Sequence, residues 1–70
     1  MEERITDFYG KCLGTIRDEG SRRVARDFYG RQLGYYDMSD NTTRDFYGRI
    51  VARGDATSSL IFSEAEKNPV

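Results

Sequence analysis

Three aspartates recur in one setting along the chain and are the residues best suited to acid–base or ligand chemistry. Each begins a copy of Asp-Phe-Tyr-Gly that is followed by a basic residue, and the copies occupy positions 7–10, 27–30 and 45–48. If the three carboxylates converged, they could bind a cation or act on a sugar. The same spacing is typical of a tight turn, because aspartate accepts local backbone hydrogen bonds and glycine adopts positive φ without steric cost. We expect the turn role.

The sequence contains few other residues that could take part in catalysis. The sequence has no histidine and one cysteine, Cys12, which excludes a His/Cys metal site, Ser-His and Cys-His pairs, and an intrachain disulfide. We expect Cys12 to be a half-buried strand residue. The glycine pairs at 10/14 and 30/34 lack the Lys-Ser/Thr ending of a phosphate-binding loop. The sequence therefore predicts no catalytic residue, no metal ligand and no cofactor, and we expect a protein that is not an enzyme.

The repeated tetrapeptide indicates hairpins. We expect each copy to form a type I turn followed by a left-handed glycine, with the acid before the turn facing the base after it. The copies are spaced by 20 and 18 residues. Alignment on them places an aliphatic residue at Leu13, Leu33 and Val51, then a small one at Gly14, Gly34 and Ala52. A glycine inside a strand marks a bulge or the close approach of another segment.

The elements that would position these turns are short strands. Turn signals at short intervals favour an all-β antiparallel meander of three similar hairpins, arranged as a pseudo-symmetric small barrel or flower. The run at 60–62, Leu-Ile-Phe, is the only one of three large apolar residues. We interpret it as a strand that closes the array or pairs with another subunit; a short helix over 58–67 is the competing interpretation. Residues 1–63 would form one domain, and 64–70 a frayed polar tail.

The chain has little apolar material for a core. Leu, Ile, Val and Phe make up 14 of 70 residues, which is at the lower limit for a folded domain. A domain of this size is marginally stable alone, and oligomerisation is one way to bury more surface. We therefore expect the tyrosines to contribute to the core and the turn aromatics to pack on neighbouring hairpins. An exposed recognition patch is the alternative.

Charge and hydropathy limit the classes of partner that we expect the chain to bind. Eleven basic and twelve acidic residues are mixed along the chain without a basic stripe, so we expect no nucleic-acid binding. The basic residues within 22–26 fit a solvated strand face. No apolar run could span a membrane, and the N-terminal residues 1–4 lack the features of a signal peptide. We expect a cytoplasmic protein of a bacterium or phage with no membrane association.

Residues 42–51 read Thr-Thr-Arg-Asp-Phe-Tyr-Gly-Arg-Ile-Val. This pattern resembles the YD-type repeats of bacterial proteins, whose units carry an aspartate, two variable residues, Gly-Arg and an aliphatic pair. Over roughly residues 4–55 the chain is similar to small bacterial proteins built from three or four such hairpins and described as a β-flower. Phenylalanine stands at 8, 28 and 46, where the family usually has tyrosine. The resemblance implies a hairpin fold and no catalytic residue.

These features favour a non-catalytic structural or protein-interaction module that self-associates, because tyrosine and arginine are enriched at interfaces. The candidate partner-binding residues are Tyr9, Tyr29, Tyr47, Lys11, Arg31 and Arg49. The candidate self-association residues are Leu60, Ile61 and Phe62. The alternative is a small carbohydrate-binding or carbohydrate-active domain that uses the Asp, Tyr and Arg residues of the turns.

Overall fold

A computed structural model describes residues 2–67 as six strands followed by one helix. The elements are Glu2–Thr6 (β1), Cys12–Asp18 (β2), Arg22–Asp27 (β3), Gln32–Asp37 (β4), Thr42–Asp45 (β5), Ile50–Arg53 (β6) and Thr57–Lys67 (α1). Every strand pairs antiparallel with the next, in the order β1-β2-β3-β4-β5-β6, which confirms the predicted antiparallel meander. The sheet is open, with β1 and β6 at its edges, so the predicted closure into a barrel is not shown.

The predicted closing strand at 60–62 is wrong, because these residues lie in α1. The helix begins where the Asp55 carboxylate accepts hydrogen bonds from the Thr57 backbone N–H (3.1 Å) and hydroxyl (2.7 Å). Thr57, Ile61 and Ala65 then recur every four residues and share one helical face. The helix continues to Lys67, four residues into the predicted polar tail, whose remaining residues lie outside the described part of the chain. No helix within residues 2–67 is long and apolar enough to cross a membrane.

The helix packs across β2, β3 and β4 on one face of the sheet. Its buried aliphatic side chain, Ile61, forms the core with Ile16 and Ala25. Partly buried aliphatic side chains surround this cluster, namely Ile5, Leu13, Leu33 and Leu60. The expected contribution of the tyrosines to the core is wrong for Tyr9, Tyr29 and Tyr47, which are exposed. Tyr35 and Tyr36 are half-buried.

Two glycines let the helix approach the sheet. A Cβ atom at Gly14 would lie 3.0 Å from Cγ2 of Ile61, and one at Gly34 would lie 2.8 Å from Cδ1 of Leu60. Both added atoms would also overlap the backbone of the neighbouring strand. The predicted close approach at these small residues is therefore confirmed. In each hairpin the pairing also skips the residue just before the small one, which forms a bulge.

We predict that Gly34→Ala lowers the free energy of unfolding by about 1–3 kcal/mol, because the added methyl group has no space beside Leu60 and the β5 backbone. Urea denaturation followed by circular dichroism measures this. Ala52→Gly, at the aligned position of the third hairpin, is the control and should cost about 0.5–1 kcal/mol. Equal losses in the two variants would contradict the packing described for the helix.

Candidate functional site

The three Asp-Phe-Tyr-Gly turns have the same backbone geometry. In each, the glycine N–H donates to the aspartate carbonyl at 3.0 Å, and the aspartate N–H donates to the carbonyl of the basic residue at 2.9 Å. The three glycines have φ of 84°, 86° and 86°. This is the predicted type I turn closed by a left-handed glycine, and it is confirmed at all three sites. Each turn follows an odd-numbered strand, so all three lie at the same end of the sheet.

The aspartate carboxylates are used to build the turns. One oxygen of Asp27 accepts hydrogen bonds from the backbone N–H groups of Tyr29 and Arg31, both at 2.9 Å. The other oxygen pairs with Nε of Arg31 at 2.9 Å. Asp45 makes the same bonds, including an ion pair of 3.1 Å with Arg49. The predicted pairing of acid and base across the turn is confirmed at these two sites.

Electrostatics keep these carboxylates ionised. Burial raises the pKa of Asp27, but hydrogen bonds from the backbone N–H groups of Arg31 and Tyr29 and the Arg31 guanidinium outweigh it, so the pKa lies below its ordinary value. The pKa of Asp45 is lowered by the equivalent groups against the same burial effect. Among residues 2–67, no three His, Cys, Asp or Glu side chains converge as metal ligands. A carboxylate held in this way serves the turn and is poorly suited to act as a general acid.

The aromatic side chains of the three turns, here called the tip aromatics, are exposed to solvent. Their exposed fractions are 95% for Phe8, 89% for Tyr9, 58% for Phe28, 67% for Tyr29, 63% for Phe46 and 78% for Tyr47. The expectation that they pack on neighbouring hairpins is wrong, and the alternative of an exposed patch is what the structure shows. The physical reason is that these residues occupy the turn centres beyond the strand ends, outside the core around Ile16, Ala25 and Ile61. Phe and Tyr of each turn meet edge to face, with ring centroids 5.4–5.5 Å apart.

The predicted partner-binding residues come together in pairs. The Arg31 guanidinium lies over the Tyr29 ring at 5.7 Å, and that of Arg49 over the Tyr47 ring at 5.5 Å. Both arrangements are cation–π contacts. Tyr9 and Lys11 occupy the equivalent positions of the first turn.

Two clefts lie between neighbouring hairpins at the turn end of the sheet. The first cleft is lined by Lys11, Cys12, Leu13, Phe28 and Tyr29. The second cleft is lined by Arg31, Gln32, Leu33, Phe46 and Tyr47. Asp27, Arg31 and Glu64 contribute to both. The clefts share one pattern: each combines a base and a leucine from one hairpin with the Phe-Tyr pair of the next.

Each cleft has the chemistry of a recognition site. It offers an aromatic wall, an aliphatic residue, a cationic group and a carboxylate on α1. The contribution of Glu64 was missed by sequence reasoning, because that reasoning placed residue 64 in a frayed tail. The recurrence of Thr57, Ile61 and Ala65 every four residues is the sequence signal that identifies the helix. The helix in turn places Glu64 near the turns.

The fold also separates charges that are mixed in the sequence. By strand register, six of the nine arginines lie on the sheet face opposite the helix, namely Arg4, Arg17, Arg22, Arg26, Arg44 and Arg53. The strand acids on that face are Glu2 and Asp37. On the helix face, Arg23 forms ion pairs with Glu3 at 3.0 Å and with Asp55. Successive residues of a strand point to opposite faces of the sheet, and sequence reasoning did not apply this alternation to the arginines.

No family model, curated protein or solved structure matches the chain. The turns and clefts are therefore the basis for the function proposed below.

Proposed function

We propose that this chain is a non-catalytic protein-interaction module that binds a partner through the tip aromatics and the two clefts, and that it also self-associates. The observation that carries the proposal is the exposure of all six tip aromatics at one end of one sheet. Exposed aromatic side chains gathered at one end of a sheet favour a surface that binds a partner, where such residues are enriched. The aromatic residues are exposed although the chain has few large apolar residues for its core, which favours a binding role.

The clefts favour a short protein segment as the ligand. Its apolar side chain would lie against Leu13 or Leu33, between that leucine and a Phe-Tyr pair. Its charged groups would meet Lys11 or Arg31 on one side and Glu64 on the other. Because two equivalent clefts lie side by side, a partner with two such segments would gain effective concentration at the second site.

The proposal extends to the origin of the site. The common turn geometry supports three hairpins that are copies of one unit, related to YD-type repeats and β-flower proteins. The full use of Asp27 and Asp45 within their turns argues against the carbohydrate-active alternative, which needs a carboxyl group that stays protonated at the working pH so that it can donate the proton. The location in a bacterial cytoplasm rests on the composition of the sequence alone.

We predict that replacing Tyr9, Tyr29 and Tyr47 together by Ser weakens partner binding by at least ~30-fold, the effect of losing one interfacial hot spot. The probe is a peptide selected on the wild-type protein from a random displayed library, with affinity measured by fluorescence polarisation. The urea unfolding curve should be unchanged within about 1 kcal/mol, because the three rings are exposed.

Met38→Ser is the matched control, since Met38 is 45% exposed at the opposite end of the sheet, and it should retain full affinity. Unfolding of the triple variant would show that the tyrosines are core residues. Retained affinity would place the binding surface elsewhere. If no peptide is selected and a glycan array gives specific binding, the carbohydrate alternative replaces this proposal.

A further inference from the structure

The two clefts arise wherever one hairpin pairs with the next. The first lies at the junction of β2 and β3, where Gly14 is opposite Asp27. The second lies at the junction of β4 and β5, where Gly34 is opposite Asp45. The register at the two junctions is the same when the hairpins are aligned on their turns. Pairing of two hairpins in this register therefore forms one cleft.

The edges of the sheet carry the two halves of a third cleft. On β6, Ile50 and Val51 follow Arg49 in the positions that line the existing clefts, and they are 55% and 52% exposed. In the turn that follows β1, Phe8 and Tyr9 form the aromatic half, and they are the most exposed of the tip aromatics. Each half lacks the neighbouring hairpin that the interior junctions supply.

We propose that β6 of one copy pairs with β1 of a second copy, in the register of the interior junctions, and that this pairing completes the third cleft. The relative direction of the two strands suits antiparallel pairing, because β6 runs antiparallel to β1 in the meander. Transfer of the interior register places Ala52 opposite Asp7 of the partner subunit and Arg53 opposite Thr6 of the partner subunit. The ligand class of the third cleft rests on the proposed function; the pairing itself does not.

The exposed edge of β6 suits this contact. β6 has neither proline nor an inward-pointing charge, two of the features that protect an edge strand from pairing, and its bulge at Val51 matches the bulges that β2 and β4 carry at the interior junctions. Since the contact joins two different edges, it is heterologous and extends to chains or rings of copies.

The test is a disulfide between engineered cysteines in a Cys12→Ser background. One population carries Arg53→Cys and a second carries Thr6→Cys. We expect a crosslinked dimer when the two populations are mixed and oxidised, and none from either population alone. The control mixture combines Arg53→Cys with Glu2→Cys, which lies on the same strand and face as Thr6 but about 13 Å away, and should not crosslink.

Three results would overturn the inference. They are a wild-type solution mass of one chain up to ~1 mM, crosslinking of the Arg53→Cys population alone, and equal crosslinking in the control mixture. The first indicates no pairing, the second a contact between two β6 strands, and the third a contact without fixed register. Loss of crosslinking with retained peptide binding would leave the proposed partner binding intact. Retained peptide binding in the triple tyrosine variant, with normal crosslinking, would contradict the proposed partner binding and leave the pairing intact.

Discussion

Ile61→Ala is expected to lower the free energy of unfolding by about 2–5 kcal/mol, which is comparable with the total stability of a domain of this size. Ile61 is fully buried and is the helix residue at the centre of the core with Ile16 and Ala25. Its Cγ2 lies close to Gly14, so removal of the side chain leaves a cavity between helix and sheet. The loss is expected to unfold much of the population at 37 °C.

Phe62→Ala is the matched control for this prediction. Phe62 follows Ile61 in the same helix turn but is 44% exposed, so its removal should cost less than about 1.5 kcal/mol. Both values come from urea denaturation monitored by circular dichroism. A larger loss for Phe62→Ala than for Ile61→Ala would mean that the helix buries a different face, and the position of Glu64 beside the clefts would then also be wrong.

Asp27→Asn is expected to lower stability by about 2–3 kcal/mol at pH 7, because two backbone N–H groups and the Arg31 guanidinium lose a charged acceptor. Asp27 is 7% exposed, whereas its equivalent Asp7 is half-buried. Asp7→Asn is therefore the matched control, with an expected loss of about 0.5–1.5 kcal/mol.

The same substitution changes the pH dependence of stability. The folded pKa of Asp27 is lowered below its ordinary value of 3.8, so its contribution is complete above that value and is lost as pH falls through the folded pKa. Wild-type stability should therefore fall more steeply than that of Asp27→Asn below pH 3.8. Thermal melts across pH 2–7 measure this. Parallel curves for the two proteins would show that the Asp27 carboxylate is not held by the turn.

The turns could be predicted from the sequence because their interactions are local. The aspartate bonds only to residues two and four positions ahead, and the glycine adopts positive φ within the same tetrapeptide. The strands could also be predicted, because the local turn signals mark where each strand ends and the next begins. The close approach at Gly14 and Gly34 was also predictable, although the segment that approaches was not.

The helix and the clefts depend on contacts between distant residues. Three consecutive apolar residues at 60–62 resemble a strand, while the helical recurrence of Thr57, Ile61 and Ala65 includes a polar and a small residue. The position of the tip aromatics could not be decided locally, because exposure depends on how far the helix reaches. The separation of the arginines onto one face follows only when the alternation of all six strands is known.

Chemical-shift mapping shows whether the surface at the turn end of the sheet binds the ligand. The amide spectrum of ¹⁵N-labelled protein is recorded while the library-selected peptide is added. We predict shifts at the residues that line the two clefts, 11–13, 28–29, 31–33 and 46–47, with Glu64 of the helix. Shifts confined to the arginine face of the sheet, or to the outer face of α1, would contradict it.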